Sequence, residues 1–162
     1  MESQLVKKHY DFLVIGAGSG GLGAARRAAM FGKKVAMVEN RVIGGTCVNV
    51  GCVPKKIMYN LANFMEDMHL FTDYGIKGLE KAKLDFPTFK KNRDAYIQKL
   101  NGIYHKNVAT SEVDYIEGTA SFVGQKEVEV TGKEKVVITA DHVMIAAGST
   151  SIVSMGKQFE GA

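Results

Sequence analysis

Tryptophan is absent from this 162-residue chain, and cysteine and proline occur twice each. Two cysteines, Cys47 and Cys52, cannot build the multi-bridge framework of a small secreted domain. With no histidine beside them they would leave a zinc shell half empty, so no metal site is expected. No apolar run approaches the roughly 18 residues that span a bilayer, which argues against a membrane protein. Met1–Tyr10 is polar and carries an acid, without the apolar stretch of an export signal. Together these absences imply a cytoplasmic address. Long blocks of one charge are missing too. Lys plus Arg number 21 against 17 Asp plus Glu, and the pairs Lys7–Lys8, Arg26–Arg27, Lys33–Lys34, Lys55–Lys56 and Lys90–Lys91 are scattered. That pattern suits a solvated surface and small anionic ligands at least as well as nucleic acid.

What is abundant is glycine, 18 residues, clustered in Gly16–Gly23 and Gly44–Gly51. Clustered glycine points to tight turns or to backbone brought close to a ligand. Before the first cluster stands an apolar, β-branched run, Asp11–Ile15. After it, Gly20–Phe31 is composed of small apolar residues and arginine and reads as a helix that Gly32 stops. Lys34–Val38 is a second buried-type strand, ending at Glu39. Strand, helix and strand within about thirty residues form a βαβ unit with parallel strands and a right-handed crossover.

Two longer helices follow. Over Pro54–Phe71 the spacing of Ile57, Leu61, Phe64, Met65 and Met68 predicts one apolar helix face. Thr72–Leu84 reads as a loop. A second helix is predicted from near Asp85, with Pro87 in its first turn, to about Ala109. Its apolar stripe is Phe89, Tyr96, Ile97, Leu100, Ile103, Tyr104 and Val108. The period then becomes strand-like in Val113–Ile116, Ala120–Val123, Val128–Thr131, Val136–Thr139 and Val143–Ala147, with Gly118, Gly124 and Gly132 as turn signals. The third and fourth of these should pair as a hairpin, and the last, apolar throughout, should return to the central sheet. The expected fold class is α/β: a Rossmann-like domain with a parallel central sheet, a helical insertion and a small antiparallel β meander. Length allows residues 1–162 one domain.

Gly16-Ala-Gly18-Ser-Gly-Gly21 fits G-x-G-x-x-G between a strand and a helix, where the first helical N–H groups face a pyrophosphate. In that motif Gly16 makes the tight turn, Gly18 admits the phosphates and Gly21 lets helix pack on strand. Glu39, at the end of the second strand, can accept hydrogen bonds from ribose hydroxyls. The motif does not separate a flavin from a nicotinamide dinucleotide. Tyr59 and Tyr96 lack a lysine four residues on, which argues against a single-domain nicotinamide dehydrogenase. Cys47 and Cys52 lie five residues apart. In a regular helix their Cα atoms would be about 8–9 Å apart, beyond the roughly 7 Å limit of a disulfide. A bridge would need distorted backbone, which Gly51 and Pro54 could supply, and such a bridge would be redox-active rather than structural.

The stretch GGTCVNVGCVPKK (Gly44–Lys56) behind a GxGxxG fold resembles the active-site segment of the class I pyridine nucleotide–disulfide oxidoreductases. The likeness runs from about Tyr10 to Gly148 and is closest to the glutathione-disulfide-reducing members, through Lys90–Asn107 and Ala24-Ala-Arg26-Arg27. Large thioredoxin reductases share most of it. The resemblance implies FAD in the Gly16–Gly21 turn, with Ser19, Gly20 and Glu39 on the nucleotide side and Ala120 near the adenine. Thr46 and Cys47 would lie along the flavin. Cys52 would be the thiolate beside the isoalloxazine, Cys47 the interchange thiol that attacks glutathione disulfide, and Lys55 a positive charge near the flavin N5. Ser19, Arg26 and Tyr104 would help hold glutathione. For Tyr104 the spacing supports a core aromatic of the helix stripe equally well.

The same resemblance implies further parts that this sequence does not contain. These are an NADPH-binding fold, a return FAD segment with a flavin-contacting Asp, and an interface domain whose histidine completes the partner's site in a homodimer. His9, His69, His105 and His142 stand in no comparable context and read as surface or packing residues. Ala146-Ala147-Gly148 replaces the family's Ala-Thr-Gly, which puts one FAD contact in doubt, and Ser149–Gln158, ahead of Phe159–Gly161, lacks the expected prolines. The expected activity is NADPH-dependent reduction of glutathione disulfide through FAD and the Cys47–Cys52 pair, serving cell redox homeostasis. This stretch alone is expected neither to turn over nor to dimerise. The alternatives are a thioredoxin reductase-like flavoprotein or a non-catalytic FAD-binding remnant.

Overall fold

The structure, a computed structural model, describes residues 6–133 and 135–150, with Val6 and Glu80 as backbone only. The tail from residue 151, including Phe159–Gly161, lies outside the described residues. In chain order the elements are β1 (Val6–Ile15), α1 (Ser19–Met30), β2 (Val35–Glu39), α2 (Gly45–Asn49) and α3 (Cys52–Asp67). They continue with a 3-10 turn at Leu79–Lys81, then α4 (Phe86–Thr110), β3 (Asp114–Gly124), β4 (Glu127–Gly132) and β5 (Lys135–Ile145). Strands β5, β1, β2 and β3 run parallel in that order, and β4, antiparallel to both β3 and β5, closes them into a ring. This is the α/β architecture expected, a parallel sheet with an antiparallel excursion. No helix of the described residues is long and apolar enough to cross a membrane.

The two faces of β2 show why the sheet is stable. Val35 and Met37 face a core shared with Leu22 and Ala25 of α1 and Val108 of α4, whereas Ala36 and Val38 face the ring interior with Leu13, Val128, Val130 and Ile138. A strand buried on both sides has to be apolar along its buried length, as Val35–Val38 is. Asp85 caps α4, its carboxylate accepting from the Thr88 N–H at 3.1 Å and the Thr88 hydroxyl at 2.6 Å, with Pro87 in the first turn. The hairpin forms in the expected place, with Val130 opposite Val136, and Val143–Ile145 returns beside Leu13–Ile15.

Several boundaries differ from the sequence reading. The first strand begins at Val6 rather than Asp11, because Lys7–Tyr10 pair with Val137–Ala140 of β5 through backbone while Lys7 and His9 stay exposed. The five short segments read at the C-terminal end are three strands. Gly118 is not a turn but the point at which β3 exchanges β2 for β4, opposite Gly132. A Cβ there would lie 2.7 Å from the Val130 side chain, so packing rather than turning requires the glycine. Likewise β5 runs unbroken through Asp141. Helix α3 starts at Cys52 and ends at Asp67, short of Phe71. Phe64 is 65% exposed, and Tyr96 and Ile103 are exposed as well. Helices α3 and α4 pack on each other beyond the sheet, so only Pro54 of α3 and Val108 of α4 are fully buried.

Candidate functional site

The glycine turn is fixed from three directions. The Gly16 N–H donates to the Val38 carbonyl at 2.7 Å, and the Ala146 N–H donates to the Ile15 carbonyl at 2.7 Å, which lays residues 146–148 across the turn. Gly16 has φ +109°, and a side chain on it would run into the Ala146 carbonyl. One on Gly21 would run into the Gly16 carbonyl. Behind the turn, α1 begins with Gly18 as its N-cap, with no capping side chain and no acid in its first turn. Its first N–H groups therefore face outward without an internal anion. Glu39 closes the turn from β2: one carboxylate oxygen accepts from the Ala17 N–H at 2.7 Å, the other from the Arg41 N–H at 2.9 Å. Each oxygen keeps a lone pair for a further donor.

The cysteine segment is stitched to this turn. The Gly44 N–H donates to the Ala17 carbonyl at 2.8 Å, and Ile43 is wholly buried. The Cα of Gly18 lies 2.7 Å from where a Gly45 side chain would begin. Helix α2 carries Cys47, stops at Val50, and Gly51 (φ −123°, ψ −110°) redirects the chain into α3, whose first residue is Cys52. The distortion that brings the cysteines together thus falls at Val50–Gly51. Pro54, also named as its source, sits in the first turn of α3, where its missing N–H needs no partner.

Cys47, half-buried, and Cys52, exposed, are free thiols. Cys47 stands close enough to Cys52 and to the Ser19 hydroxyl for both to act on its thiol. The site is therefore one junction, where the starts of α1 and α3 meet at a sulfur of α2. The Cys47 thiol is pushed up from its ordinary pKa, first by the bond to Cys52, then by burial and by charge on Cys52. The Cys52 N–H and the Ser19 hydroxyl pull it down by less.

Lys55 lies three residues beyond Cys52 on α3, on the same helix face, with its N–H bonded to the Gly51 carbonyl at 3.0 Å. Thr46 is exposed beside Cys47 on α2. The contacts of the remaining candidates run elsewhere. Arg26 donates to the Ser111 hydroxyl at 3.1 Å, Tyr104 packs on the core between α1 and β2, and Ala120 packs on the ring interior opposite Val130. His9 bonds Thr139 at 2.9 Å, and His105 stands edge-on to Tyr115 at 5.0 Å.

Two residues passed over in the sequence matter here. Asn49 and Asn101 bracket α2 with their side-chain amides, which meet each other and the Ile43 carbonyl. A signal existed in each case, a polar amide between Val48 and Val50 and another beside Leu100 on an otherwise apolar stripe.

Residues 10–162 match the pyridine nucleotide-disulphide oxidoreductase family. The chain belongs to that family. Among curated relatives, it is 47% identical over 151 residues to a glutathione reductase of Schizosaccharomyces pombe, covering 91% of this chain and 32% of that protein. It is 43% identical over 169 residues to a glutathione reductase of Debaryomyces hansenii, covering 94% and 34%. The chain thus spans about a third of the length of the relatives it matches.

The sulfur contacts set a pH dependence. Alkylation of Cys47 by iodoacetamide, followed by peptide mass spectrometry, is expected to show a midpoint above that of an ordinary thiol, because only the thiolate reacts. Cys52→Ala removes the largest upward contribution, so the midpoint should fall and the rate at pH 8 should rise. Superimposable profiles for the two proteins would mean that the sulfurs do not interact.

Proposed function

We propose that this chain is the FAD-binding part of a flavoprotein that reduces glutathione disulfide with electrons from NADPH, working in the cytoplasm. The observation that carries the reading is the cysteine segment stitched to the glycine turn, the Gly44 N–H bonded to the Ala17 carbonyl at 2.8 Å and Gly45 packed against Gly18. It puts a dithiol beside a turn suited to a dinucleotide.

The residues present fit FAD. Side chains at Gly16 or Gly21 would fill the turn, and the uncapped start of α1 suits a pyrophosphate. Gly16, Gly18, Ser19, Gly20 and Gly21 would hold the phosphates and Glu39 the ribose. Thr46, Cys47 and Lys55 would adjoin the flavin, and Ala120 the adenine. Bound FAD supplies the electron pair, taken from NADPH, that opens the disulfide. The protein's own sulfurs do the rest. Cys47 as thiolate attacks one sulfur of glutathione disulfide, forming a mixed disulfide and expelling one glutathione thiolate. Cys52 then attacks the Cys47 sulfur, closing the Cys47–Cys52 bond and expelling the second. One substrate disulfide is reduced as one protein dithiol is oxidised, and the two thiol protons pass to the released glutathiones. Lys55, one turn beyond Cys52, brings a positive charge to the site, and Arg26 and Tyr104 would contact glutathione.

The test needs no NADPH. The full chain, reduced and freed of reductant, should retain flavin absorbance on gel filtration after mixing with FAD. It should also release two glutathiones per chain from one glutathione disulfide. Cys52→Ser should stop at the mixed disulfide after one, and Cys47→Ser should release far less. Failure to retain flavin, or equal release from both serine variants and the parent, would overturn the reading.

A further inference from the structure

Helix α2 has five residues, too few to hold itself against the cost of helix nucleation, yet it fixes where Cys47 stands. Two asparagine amides supply the hold. Asn49, the last residue of α2, donates its Nδ2 protons to the carbonyls of Gly45 (2.9 Å) and Ile43 (3.1 Å), tying the helix end back to its start. Asn101, on α4, donates its Nδ2 protons to the Ile43 carbonyl (2.9 Å) and the Asn49 Oδ1 (3.0 Å). All four amide protons are used, and the Ile43 carbonyl accepts twice, which fills its lone pairs. A reversed Asn101 amide would set oxygen against oxygen, so its orientation is determined. Asn101 is 58 residues from Ile43 along the chain, and its hydrogen bonds tie α4 to the cysteine loop.

We infer that Asn101 is a positioning residue for the redox pair, setting the separation of Cys47 and Cys52 by fixing α2 on α4. The inference rests on the redox role proposed above for those cysteines. Five residues of regular helix would hold the Cα atoms about 8–9 Å apart, too far for a bridge. Closure therefore depends on α2 staying where the Val50–Gly51 break delivers it. Releasing α2 spreads the sulfurs over more positions and lowers the effective concentration of one at the other. The disulfide loses more than the dithiol does, because only the disulfide requires the sulfurs to meet.

The experiment equilibrates the full chain in mixtures of reduced and oxidised glutathione, quenches with acid and alkylator, and reads the Cys47–Cys52 disulfide by mass spectrometry. Asn101→Leu removes both donors. Asn101→Asp keeps the shape and carries the test should the leucine variant not fold. Both are expected to lower the equilibrium constant for closing the disulfide by about fivefold or more. Val128→Ala, which loosens the ring interior far from the amides, should leave that constant within about twofold while lowering the thermal midpoint. The inference is overturned if the Asn101 variants match the parent, or if Val128→Ala shifts the constant as far as they do. A parent chain that never forms the bridge defeats the redox reading itself, an outcome separable from the others because it shows in the unsubstituted protein.

Discussion

Gly16→Ala is expected to destabilise the chain by about 3 kcal/mol or more, combining backbone strain with a steric collision. The residue holds φ +109°, a conformation that an L side chain rarely adopts, and its missing Cβ faces the Ala146 carbonyl directly. Neither problem can be relieved cheaply. The Gly16 N–H is bonded to Val38, and the segment it would push is bonded to Ile15, so any shift breaks pairing at the end of the sheet. Gly20→Ala is the control in the same motif, since nothing lies within 4 Å of its Cβ. Its stability should equal or exceed the parent's by up to about 1 kcal/mol, alanine being the better helix former. Urea titrations of both variants decide the matter. Equal midpoints would show that the turn is not pinned as described. For a domain whose whole stability is about 5–15 kcal/mol, the loss at Gly16 would also be visible in how much chain stays folded.

That glycine was legible in the sequence because the motif is local. DFLVI, GAGSGG and KVAMVE follow one another in the order their contacts require, and strand–turn–helix–strand is settled by residues close in the chain. The same holds for Asp85 and Pro87 at the start of α4. What escaped was made by partners distant in sequence. Lys7–Tyr10 look polar and unstructured, and only the pairing with Val137–Ala140 makes them strand. Gly118 reads as a turn because glycine marks both turns and close approaches, and only the Val130 side chain packed against it distinguishes them. The stripe through Phe64, Tyr96 and Ile103 has the right period, but period reports which residues share a face and not how much of that face is covered. In the site, the two cysteines announced themselves by rarity, whereas the Asn49–Asn101 brace joins residues 52 apart and has no spacing to read.

The same distinction between local and distant support gives Ile43→Ala its interest. Ile43 is wholly buried, packed with Ala17, Leu22, Met37 and Val108, and it precedes the glycines that start the cysteine segment. Truncation to alanine should cost about 2–4 kcal/mol, from lost apolar burial and the cavity left behind. Ile138→Ala, equally buried in the ring interior, should cost a similar amount, so stability alone does not separate them. The cysteines should. Ile43 seats the loop whose carbonyl both asparagine amides grip, and loosening it lets α2 and its sulfur drift from Cys52 and Ser19. The pH midpoint for Cys47 alkylation should then move toward that of an ordinary thiol in Ile43→Ala and stay in place in Ile138→Ala, both measured well below their melting temperatures. Should the two variants show the same Cys47 profile at equal loss of stability, the cysteine pair would owe its geometry to its own backbone and not to the core beneath it.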